Sequence, residues 1–465
     1  MKLDELKEKK VLILGFGREG RDTFLFLRKI FPKKVLGIAD QQKISNFQPS
    51  TRAKPGTRAG LGAGLVPHRN KVSGTGFPIS NLLRKDKNVR LHLGENYLKA
   101  LKKYDVIIKS PGVPAKILRK FSRTSQVITS QTEIFFENCP GKIIGVTGTK
   151  GKSTTATLIY KILKDGSASS PQEGKLKAHL VGNIGKPVLR LLFSATPEDV
   201  YVYELSSHQL YNLKKSPQVA VFLNIYQEHL DYYKNFKEYL KAKQNICRWQ
   251  KKEDYFIYNP ENKYVRETAK LTRAKKIPIE GKFYKLSIAT AKAVGKIFKI
   301  PNKVIDKAIK KFQPLPHRLE FVGKYKGIEF YNDSLATIPE ATIGAIEALG
   351  KNLETIILGG FERRQNFKEL TKEILKSKIK TAILFPTTGE RIFKEINKLS
   401  GERFSAKLPK CFFVDDMKGA VRLAYQYTKR GKICLLSPAS ASFNLFKDYK
   451  ERGNLFKKFV KSLKR

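Results

Sequence analysis

The octapeptide Thr147-Gly148-Thr149-Lys150-Gly151-Lys152-Ser153-Thr154 decides how the middle of the chain folds. It follows the apolar run Ile143–Val146 and leads into Ser153–Leu163, which we interpret as a buried strand and a helix. A glycine-rich loop in that position directs backbone amides at an anion, and it places a lysine near the β- and γ-phosphates and a hydroxyl near Mg²⁺. The strict phosphate-loop spacing fails, because Val146 stands five residues before Gly151. The order of elements still predicts an ATP site formed by Gly148, Thr149, Lys150, Gly151, Lys152, Ser153 and Thr154.

Two polar segments follow later strands of the same region. Glu204 ends the apolar run Val200–Tyr203, and His229 comes shortly after the run Val219–Leu223. The carboxyl ends of parallel strands meet at one edge of a sheet, so we expect both side chains near the glycine loop as magnesium partners. Taken singly, the glutamate would be read as a helix cap and the histidine as a structural hydrogen-bonding residue.

The start of the chain carries a second glycine turn. Gly15-Phe16-Gly17-Arg18-Glu19-Gly20 lies between the strand Val11–Leu14 and a helix expected over Thr23–Ile30. Asp40 closes the next strand, Val35–Ala39, about 20 residues later, which is the context of a dinucleotide-binding turn. By itself this motif would suggest a nicotinamide dehydrogenase, or a tight turn without a ligand, so the nucleotide stays open.

The rest of the chain continues the alternation of strands and helices. Further strands are expected at Val106–Lys109, Ile328–Tyr331, Thr355–Leu358, Thr381–Leu384 and Lys432–Leu436. We predict an α/β protein of three successive units with no internal repeat: a Rossmann-like unit over 1–139, a phosphate-loop parallel-sheet unit over 140–314 and a second Rossmann-like unit over 315–465. Residues 48–80 and 165–174 are rich in small and polar residues, and we expect a flexible insertion and a loop there.

Composition excludes several classes of protein. The 465 residues carry a formal charge of +50, which raises nucleic acid or an anionic membrane as a partner, but the basic residues are spread from end to end without a recognition motif. The apolar run after the basic start ends at Gly15, too short for a signal peptide, and no run is long enough to cross a bilayer. Four widely spaced cysteines favour a reducing compartment. We expect a cytoplasmic monomer with no specific nucleic acid and no membrane insertion.

Beyond the phosphate loop, eight further motifs occur in order and cover nearly the whole chain apart from the polar insertions. They are Gly182–Gly185, Glu204–Leu210, Asn224–Asp231, Leu315–Glu320, Tyr331–Thr337, Leu358–Gly360, Leu436–Phe443 and Phe446–Phe456. With the phosphate loop, this set resembles the Mur ligases, and the last two motifs resemble the members of that family that add D-glutamate. The resemblance implies an enzyme of peptidoglycan precursor synthesis that joins D-glutamate to UDP-N-acetylmuramoyl-L-alanine through an acyl phosphate.

The resemblance also implies a set of catalytic and nucleotide-binding roles. Lys152 would hold the β- and γ-phosphates of ATP, Ser153 and Glu204 one Mg²⁺, and His229 a second. Lys243 matches a lysine that the family carbamylates with CO₂, which turns a cation into an anion beside the metal. Without the family it would be read as a solvated lysine on a basic helix. Arg318 and Asp333 match ATP contacts of the third unit, so closure of that unit would complete the site.

The substrate contacts are implied in the same way. For the UDP-linked substrate they are Gly17, Asp40, Ser110, Gly112 and Asn183, and for the incoming amino acid Thr337, Arg363, Ser442 and Tyr449. Each of the four residues assigned to the incoming amino acid is about as readily explained as a helix cap or a packing residue.

The sequence departs from the family pattern at several positions. Lys150 replaces an asparagine of the phosphate loop, Leu335 replaces a frequent lysine, and Gln42 replaces an arginine near the uracil. Arg363 stands where a lysine would meet the amino-acid carboxylate; an arginine keeps the charge but changes the geometry. The asparagine motif expected near the end of the second unit is missing, and Gly281–Ser287 stands in its place. Another Mur-type or folate-type ligase therefore stays open, as does a non-catalytic nucleotide- or nucleic-acid-binding protein on the same scaffold.

Overall fold

A computed structural model describes residues 1–42, 83, 86–168, 176–229, 232–281, 283–312, 315–400, 408–443 and 445–463. The predicted insertion at 48–80 lies outside these residues, as does 169–174 of the second polar stretch. In the part described, the chain forms three sheets in sequence order, which we call the first, second and third units. No helix of this part is long and apolar enough to cross a membrane.

The first unit is a parallel sheet in the order β3-β2-β1-β4-β5. Its strands and helices are β1 (Val11–Leu14), α1 (Arg18–Ile30), β2 (Leu36–Asp40), β3 (Val89–Leu93), β4 (Val106–Lys109), α2 (Ala115–Phe121), β5 (Val127–Ser130) and α3 (Gln131–Asn138), with 3₁₀ turns at Asp4–Leu6 and Tyr97–Lys103. All four residues of β1 and of β4 are buried, as expected for central parallel strands covered on both faces. The order reverses direction at β1, which places the glycine turn after β1 in the crevice where such sheets bind ligands.

The second unit is a parallel sheet in the order β11-β10-β9-β6-β8-β7. Its elements are β6 (Lys142–Thr147), α4 (Lys152–Ala168), β7 (Lys177–Gly182), β8 (Asp199–Glu204), α5 (Ser207–Leu210), β9 (Val219–Phe222), α6 (Phe236–Gln244), β10 (Tyr255–Tyr258), α7 (Lys263–Thr268), β11 (Lys275–Pro278), α8 (Phe283–Ile297) and α9 (Asn302–Lys310), with 3₁₀ turns at Leu189–Ser194 and Ala269–Leu271. Because β6 lies between β8 and β9, the loop after β6, Glu204 and the segment after β9 emerge at one edge of the sheet.

The third unit is a mixed sheet in the order β12-β13-β17-β14-β15-β16, in which only the edge strand β12 runs antiparallel among the described pairings. Its elements are β12 (Glu320–Tyr325), β13 (Ile328–Asn332), α10 (Pro339–Leu349), β14 (Leu353–Gly359), α11 (Lys368–Lys376), β15 (Thr381–Phe385), α12 (Thr388–Ser400), β16 (Lys410–Phe413), α13 (Met417–Tyr427), β17 (Ile433–Leu436) and α14 (Tyr449–Ser462), with a 3₁₀ turn at Gly350–Asn352. The strands β14, β15 and β17 are buried along their whole length.

The first two units share a hydrophobic core. One cluster of buried side chains runs from Phe24 and Phe135 of the first unit to Tyr201 and Phe222 of the second. The rings of Phe135 and Tyr201 meet edge to face with centroids 5.0 Å apart, an arrangement that aromatic pairs favour. The third unit has its own two clusters, one on each face of its sheet. The first two units therefore form a continuous apolar body.

Two predicted boundaries were wrong. Helix α1 begins at Arg18, five residues before the expected start at Thr23, because Gly20 belongs to the helix and not to the turn. A Cβ at Gly20 would collide with the carbonyl oxygen of Gly15, so glycine is needed for the helix to pack this closely on the strand. Helix α4 continues to Ala168 through the start of the expected loop, and the ion pair between Lys161 and Asp165 (3.2 Å) lies within it.

Candidate functional site

The phosphate loop is held open by its glycines and anchored by one asparagine. Gly148 and Gly151 have φ values of 152° and 86°, which side-chain-bearing residues rarely adopt. Asn224, after β9, accepts from the backbone N–H of Lys150 through Oδ1 (2.9 Å) and donates to its carbonyl through Nδ2 (3.1 Å). Lys152 donates to the carbonyls of Gly148 (2.9 Å) and Thr149 (3.0 Å), so its ammonium lies over the loop where a phosphate would bind. The remaining loop residue, Thr154, is the third residue of α4.

Glu204 offers a carboxylate oxygen to this site. The side chain is 1% exposed, and its Oε1 accepts from Asn183 Nδ2 at 3.0 Å. Its Oε2 is buried and has no hydrogen-bond partner in the described part of the chain. A buried carboxylate oxygen without a donor is costly unless a cation satisfies it. Ser153 Oγ, also buried, accepts from Arg318 Nη2 at 3.0 Å.

Lys243 is a buried lysine at the base of the loop. It is 2% exposed and donates to the carbonyl of Gly148 (3.0 Å) and weakly to Thr147 Oγ1 (3.4 Å). Burial, and next the nearby ammonium of Lys152, hold the pKa of Lys243 well below its ordinary value. A lysine in this state has a larger neutral fraction than a solvated one, and only the neutral amine is a nucleophile.

His229 and Lys150 lie on either side of Glu228. The imidazole Nε2 of His229 is 3.7 Å from one carboxylate oxygen of Glu228, and Lys150 Nζ is 3.3 Å from the other. Burial alone would raise the pKa of Glu228, but Lys150, His229 and Lys152 outweigh burial and lower that pKa to about 2. The carboxylate is therefore ionised at neutral pH. His229 has a φ of 60°, so the backbone turns sharply at this residue.

The third unit reaches the phosphate loop through two cationic contacts. Besides the bond from Arg318 to Ser153, Lys150 Nζ lies 3.3 Å from Thr337 Oγ1. Asp333 lies beside Arg318 and accepts from Ser437 Oγ (2.8 Å) and the Leu319 N–H (3.1 Å). Burial raises the pKa of Asp333 to about 7. The predicted ATP residues of the second and third units are thus brought together.

The predicted UDP-substrate residues surround the first glycine turn. Asp40 Oδ2 accepts from the Phe16 N–H (2.6 Å), and Ser110 Oγ donates to the carbonyl of Gly15 (2.7 Å). Gly17 caps α1, and a Cβ there or at Gly112 would meet nothing within 4 Å, so both backbones are open to a ligand. Asn183 belongs to the second unit and connects this region to Glu204.

The four predicted amino-acid contacts lie in the third unit, but they do not all contact each other. The carbonyl of Thr337 accepts from Gln365 Nε2 (2.7 Å), two residues from the exposed Arg363. The guanidinium of Arg363 lies over the ring of Phe443 (5.5 Å to the centroid), next to the buried Ser442. Tyr449 lies at the start of α14, and its ring meets the ring of His317 edge to face, with centroids 5.9 Å apart.

Sequence reasoning missed three charged residues that connect the motifs. Arg18 donates to the carbonyl of Gly182 (2.6 Å), across the first and second units. Arg452 is fully buried and donates to the carbonyls of Ser334 (2.7 Å) and Ser440 (3.1 Å), so it joins three C-terminal motifs. Glu228 lies within the motif Asn224–Asp231, but the motif by itself indicates no role for it. The only signal in the sequence was a charge inside a motif: Arg18 in the glycine motif Gly15–Gly20, and Arg452 in the motif Phe446–Phe456.

The residues present fit a divalent cation that also binds phosphate. In the described part of the chain no group of three or more His, Cys, Asp or Glu side chains is placed to hold a metal alone. Mg²⁺ in nucleotide sites is usually bound by one or two protein ligands together with substrate phosphates and water. The unsatisfied oxygen of Glu204 and the hydroxyl of Ser153 beside the phosphate loop meet that description.

A phosphate-loop unit to which a third α/β unit presents an arginine and an aspartate agrees with the Mur type of ligase that the motifs resemble. The family models agree: the Mur ligase middle domain matches residues 146–325, and the Mur ligase glutamate ligase domain matches residues 317–440. Among solved structures, the MurF ligase of Thermotoga maritima in complex with ADP superposes with a TM-score of 0.55 at 16% identity, over 99% of this chain and 97% of that one. The MurC ligase of the same organism gives a TM-score of 0.51 at 14% identity over 98% and 99%. At these identities the likeness concerns the fold.

Sequence relatives are more specific. The UDP-N-acetylmuramoylalanine–D-glutamate ligase of Clostridium acetobutylicum is 33% identical over 99% of this chain and 98% of its own length. That of Acetivibrio thermocellus is 31% identical over 90% and 99%. The chain belongs to the Mur ligase family, in the group of UDP-N-acetylmuramoylalanine–D-glutamate ligases.

Proposed function

We propose that the protein joins D-glutamate to the carboxylate of UDP-N-acetylmuramoyl-L-alanine, with ATP converted to ADP and phosphate. The relatives that match it over nearly their whole length carry this activity in their names. The observation that carries the proposal is the buried, unpaired oxygen of Glu204 at the same sheet edge as the phosphate loop and the buried Lys243.

The chemistry requires activation because a carboxylate is a poor acyl donor at neutral pH. An oxygen of the precursor carboxylate attacks the γ-phosphorus of ATP, and ADP leaves with the bonding electron pair. The neutral amine of D-glutamate then attacks the carbonyl carbon of the acyl phosphate. The nitrogen gives up a proton to solvent, and the tetrahedral intermediate collapses to the amide as phosphate leaves. The protein contributes mainly by positioning the reactants and neutralising charge around the transferred phosphoryl group.

The cationic residues of the loop supply much of that neutralisation. Lys152 exchanges its loop carbonyls for the β- and γ-phosphates, and Arg318 adds a second cation from the third unit. Ser153 and Glu204 would hold one Mg²⁺ and His229 a second. Bound Mg²⁺ would screen the negative charge of the phosphates. Closure of the third unit brings Asp333 and Arg318 over the nucleotide and excludes water.

Lys243 is proposed to act as a carbamate. Its neutral amine attacks the carbon of CO₂ and loses a proton, which gives an anionic side chain in place of a cation. The depressed pKa supports this step, because a larger share of the amine is neutral at physiological pH. An anion at this position would attract a magnesium ion that a lysine cation would repel.

The two substrates are assigned to opposite sides of the site. The UDP-linked precursor would lie against Gly17, Asp40, Ser110, Gly112 and Asn183. D-Glutamate would lie against the third unit, with Arg363 as the partner of a carboxylate and contacts from Thr337, Ser442 and Tyr449. We further propose that the protein acts as a monomer in the cytoplasm.

A phosphate-release assay over a panel of substrates tests it. UDP-MurNAc, UDP-MurNAc-L-Ala and longer UDP-linked precursors are each offered with L-alanine, D-glutamate or a diamino acid. Release only with UDP-MurNAc-L-Ala and D-glutamate is expected, and Lys152→Ala should abolish it without loss of folded structure. Release only with L-alanine or a diamino acid would indicate another Mur-type ligase. Absence of ATP·Mg binding, or salt-sensitive binding to a preferred nucleic-acid sequence, would indicate a non-catalytic protein.

A further inference from the structure

The first turn of α1 holds a loop of the second unit. Arg18 Nη2 donates to the carbonyl of Gly182 (2.6 Å) and more weakly to that of Asn183 (3.4 Å), and Nη1 reaches the carbonyl of Gly185 (3.4 Å). One guanidinium thus contacts three of the four carbonyls of the turn Gly182–Gly185, all except that of Ile184. Charge-assisted hydrogen bonds of this kind are stronger than neutral ones.

The turn Gly182–Gly185 is closely packed against the end of β8, so it should move as one body. A Cβ at Gly182 would come within 2.5 Å of the ring of Tyr203 and of the Glu204 carbonyl, so there is no spare room. Within the turn, the Asn183 N–H donates to the Glu204 carbonyl (3.0 Å), and its side-chain amide donates to Glu204 Oε1 (3.0 Å). The turn therefore fixes the orientation of the Glu204 carboxylate, whose Oε2 has no hydrogen-bond partner in the described part of the chain.

The neighbour of Arg18, Glu19, contacts the segment that follows Glu204. Glu19 Oε1 accepts from Gln209 Nε2 at 2.9 Å. Gln209 also forms the capping box with Ser206 at the start of α5, two residues after Glu204. Two adjacent residues of the first turn of α1 thus hold the turn Gly182–Gly185, which contacts Glu204, and the helix start that follows Glu204.

We propose that Arg18 is a positioning residue that couples the UDP-substrate turn to the metal carboxylate Glu204. The proposal rests on the proposed function, in which Glu204 holds a divalent cation and Gly17, next to Arg18, meets the precursor. A precursor bound at the turn would fix the first turn of α1, and through the turn Gly182–Gly185 it would fix Glu204. Because coupling of binding free energies is reciprocal, the metal–nucleotide complex should in turn favour the precursor.

Mn²⁺ binding to the full-length protein with AMP-PNP, followed by electron paramagnetic resonance, tests the coupling without turnover. Arg18→Ala should weaken Mn²⁺ binding about tenfold, the scale seen when residues that orient metal ligands are lost. Added UDP-N-acetylmuramoyl-L-alanine should tighten Mn²⁺ binding in the wild type and not in the variant. The matched control is Arg190→Ala, which removes the ion pair with Asp22 (2.7 Å) at the same interface but leaves the turn untouched. It should stay within about twofold of the wild type, since it shares no partner with Glu204.

The remaining outcomes are decisive. An unchanged Mn²⁺ affinity in Arg18→Ala, or an equal loss in Arg190→Ala, overturns the proposal while leaving the ligase assignment in place. Asn183→Ala should reproduce the loss, and the double variant should add nothing to it. If Arg18→Ala does not fold, Arg18→Lys, which keeps one donor, should show an intermediate affinity, and wild-type affinity in that variant would count against the proposal. A wild type that binds no Mn²⁺·AMP-PNP overturns the proposed function and this proposal with it.

Discussion

Lys150 of the phosphate loop contacts Glu228 and Thr337, each at 3.3 Å. Removal of its charge should therefore lower the free energy of unfolding of the second unit measurably. We consider Lys150→Met, which keeps the length of the stem and removes the charge. Burial opposes ionisation of Glu228, yet the pKa of this carboxyl falls from 4.5 to about 2, with Lys150 as the strongest cationic contribution.

The magnitude follows from that shift. At about 1.4 kcal/mol per pKa unit, a fall from 4.5 to about 2 corresponds to roughly 3 to 4 kcal/mol in favour of the ionised carboxylate in the folded protein. His229 and Lys152 share the effect, so we assign about half of it, roughly 2 kcal/mol, to Lys150. Because the folded pKa lies below the unfolded one, the stabilisation is complete above pH 4.5 and is lost as the pH falls towards 2.

Urea unfolding at pH 7 measures this coupling. Trp249, the single tryptophan, lies in the second unit between α6 and β10, so its fluorescence reports the unfolding of that unit. In a double-mutant cycle of Lys150→Met with Glu228→Gln, the coupling free energy should be about 2 kcal/mol. Lys241→Met, at an exposed lysine of α6, is the control and should change the unfolding free energy by less than about 0.5 kcal/mol. A coupling below about 0.3 kcal/mol would refute the electrostatic argument.

Three further predictions concern the chemistry and the packing. With ¹³C-bicarbonate, the wild type should show a carbamate resonance that Lys243→Arg lacks, and identical spectra would exclude carbamylation at this residue. Since the pKa of Asp333 is raised to about 7, kcat/KM for ATP should rise as the pH increases through 7 and the carboxylate forms. Asp333→Asn should flatten this pH profile. An unaltered pH profile in the variant would assign the titration to another group. Gly453→Ala should lower the unfolding free energy by about 2 kcal/mol, because its Cβ would collide with the His317 ring. Gly17→Ala, with open space around the new Cβ, should lower it far less. Equal effects of the two substitutions on thermal melting would contradict the packing argument.

The amino-acid sequence by itself determined the local architecture. Strands such as Val11–Leu14 and Thr381–Leu384 were predicted correctly because a short β-branched and apolar run needs no long-range information to be recognised. The glycine turn after β6 was identified for the same reason, since positive φ angles and a following lysine are encoded within a few residues. The family resemblance, which the relatives confirm, also comes from short motifs in order.

Only the tertiary structure decided which motifs meet. The contacts of Arg18 with Gly182, Lys150 with Thr337 and Arg318 with Ser153 join residues separated by 164, 187 and 165 positions. Hydrophobic periodicity states which face of an element is buried but not which loop lies opposite, because that depends on the order of strands in the sheets and on the docking of the units. The unpaired oxygen of Glu204 and the shifted pKa values of Lys243 and Glu228 depend on the same packing, since desolvation and neighbouring charges exist only once distant segments are brought together.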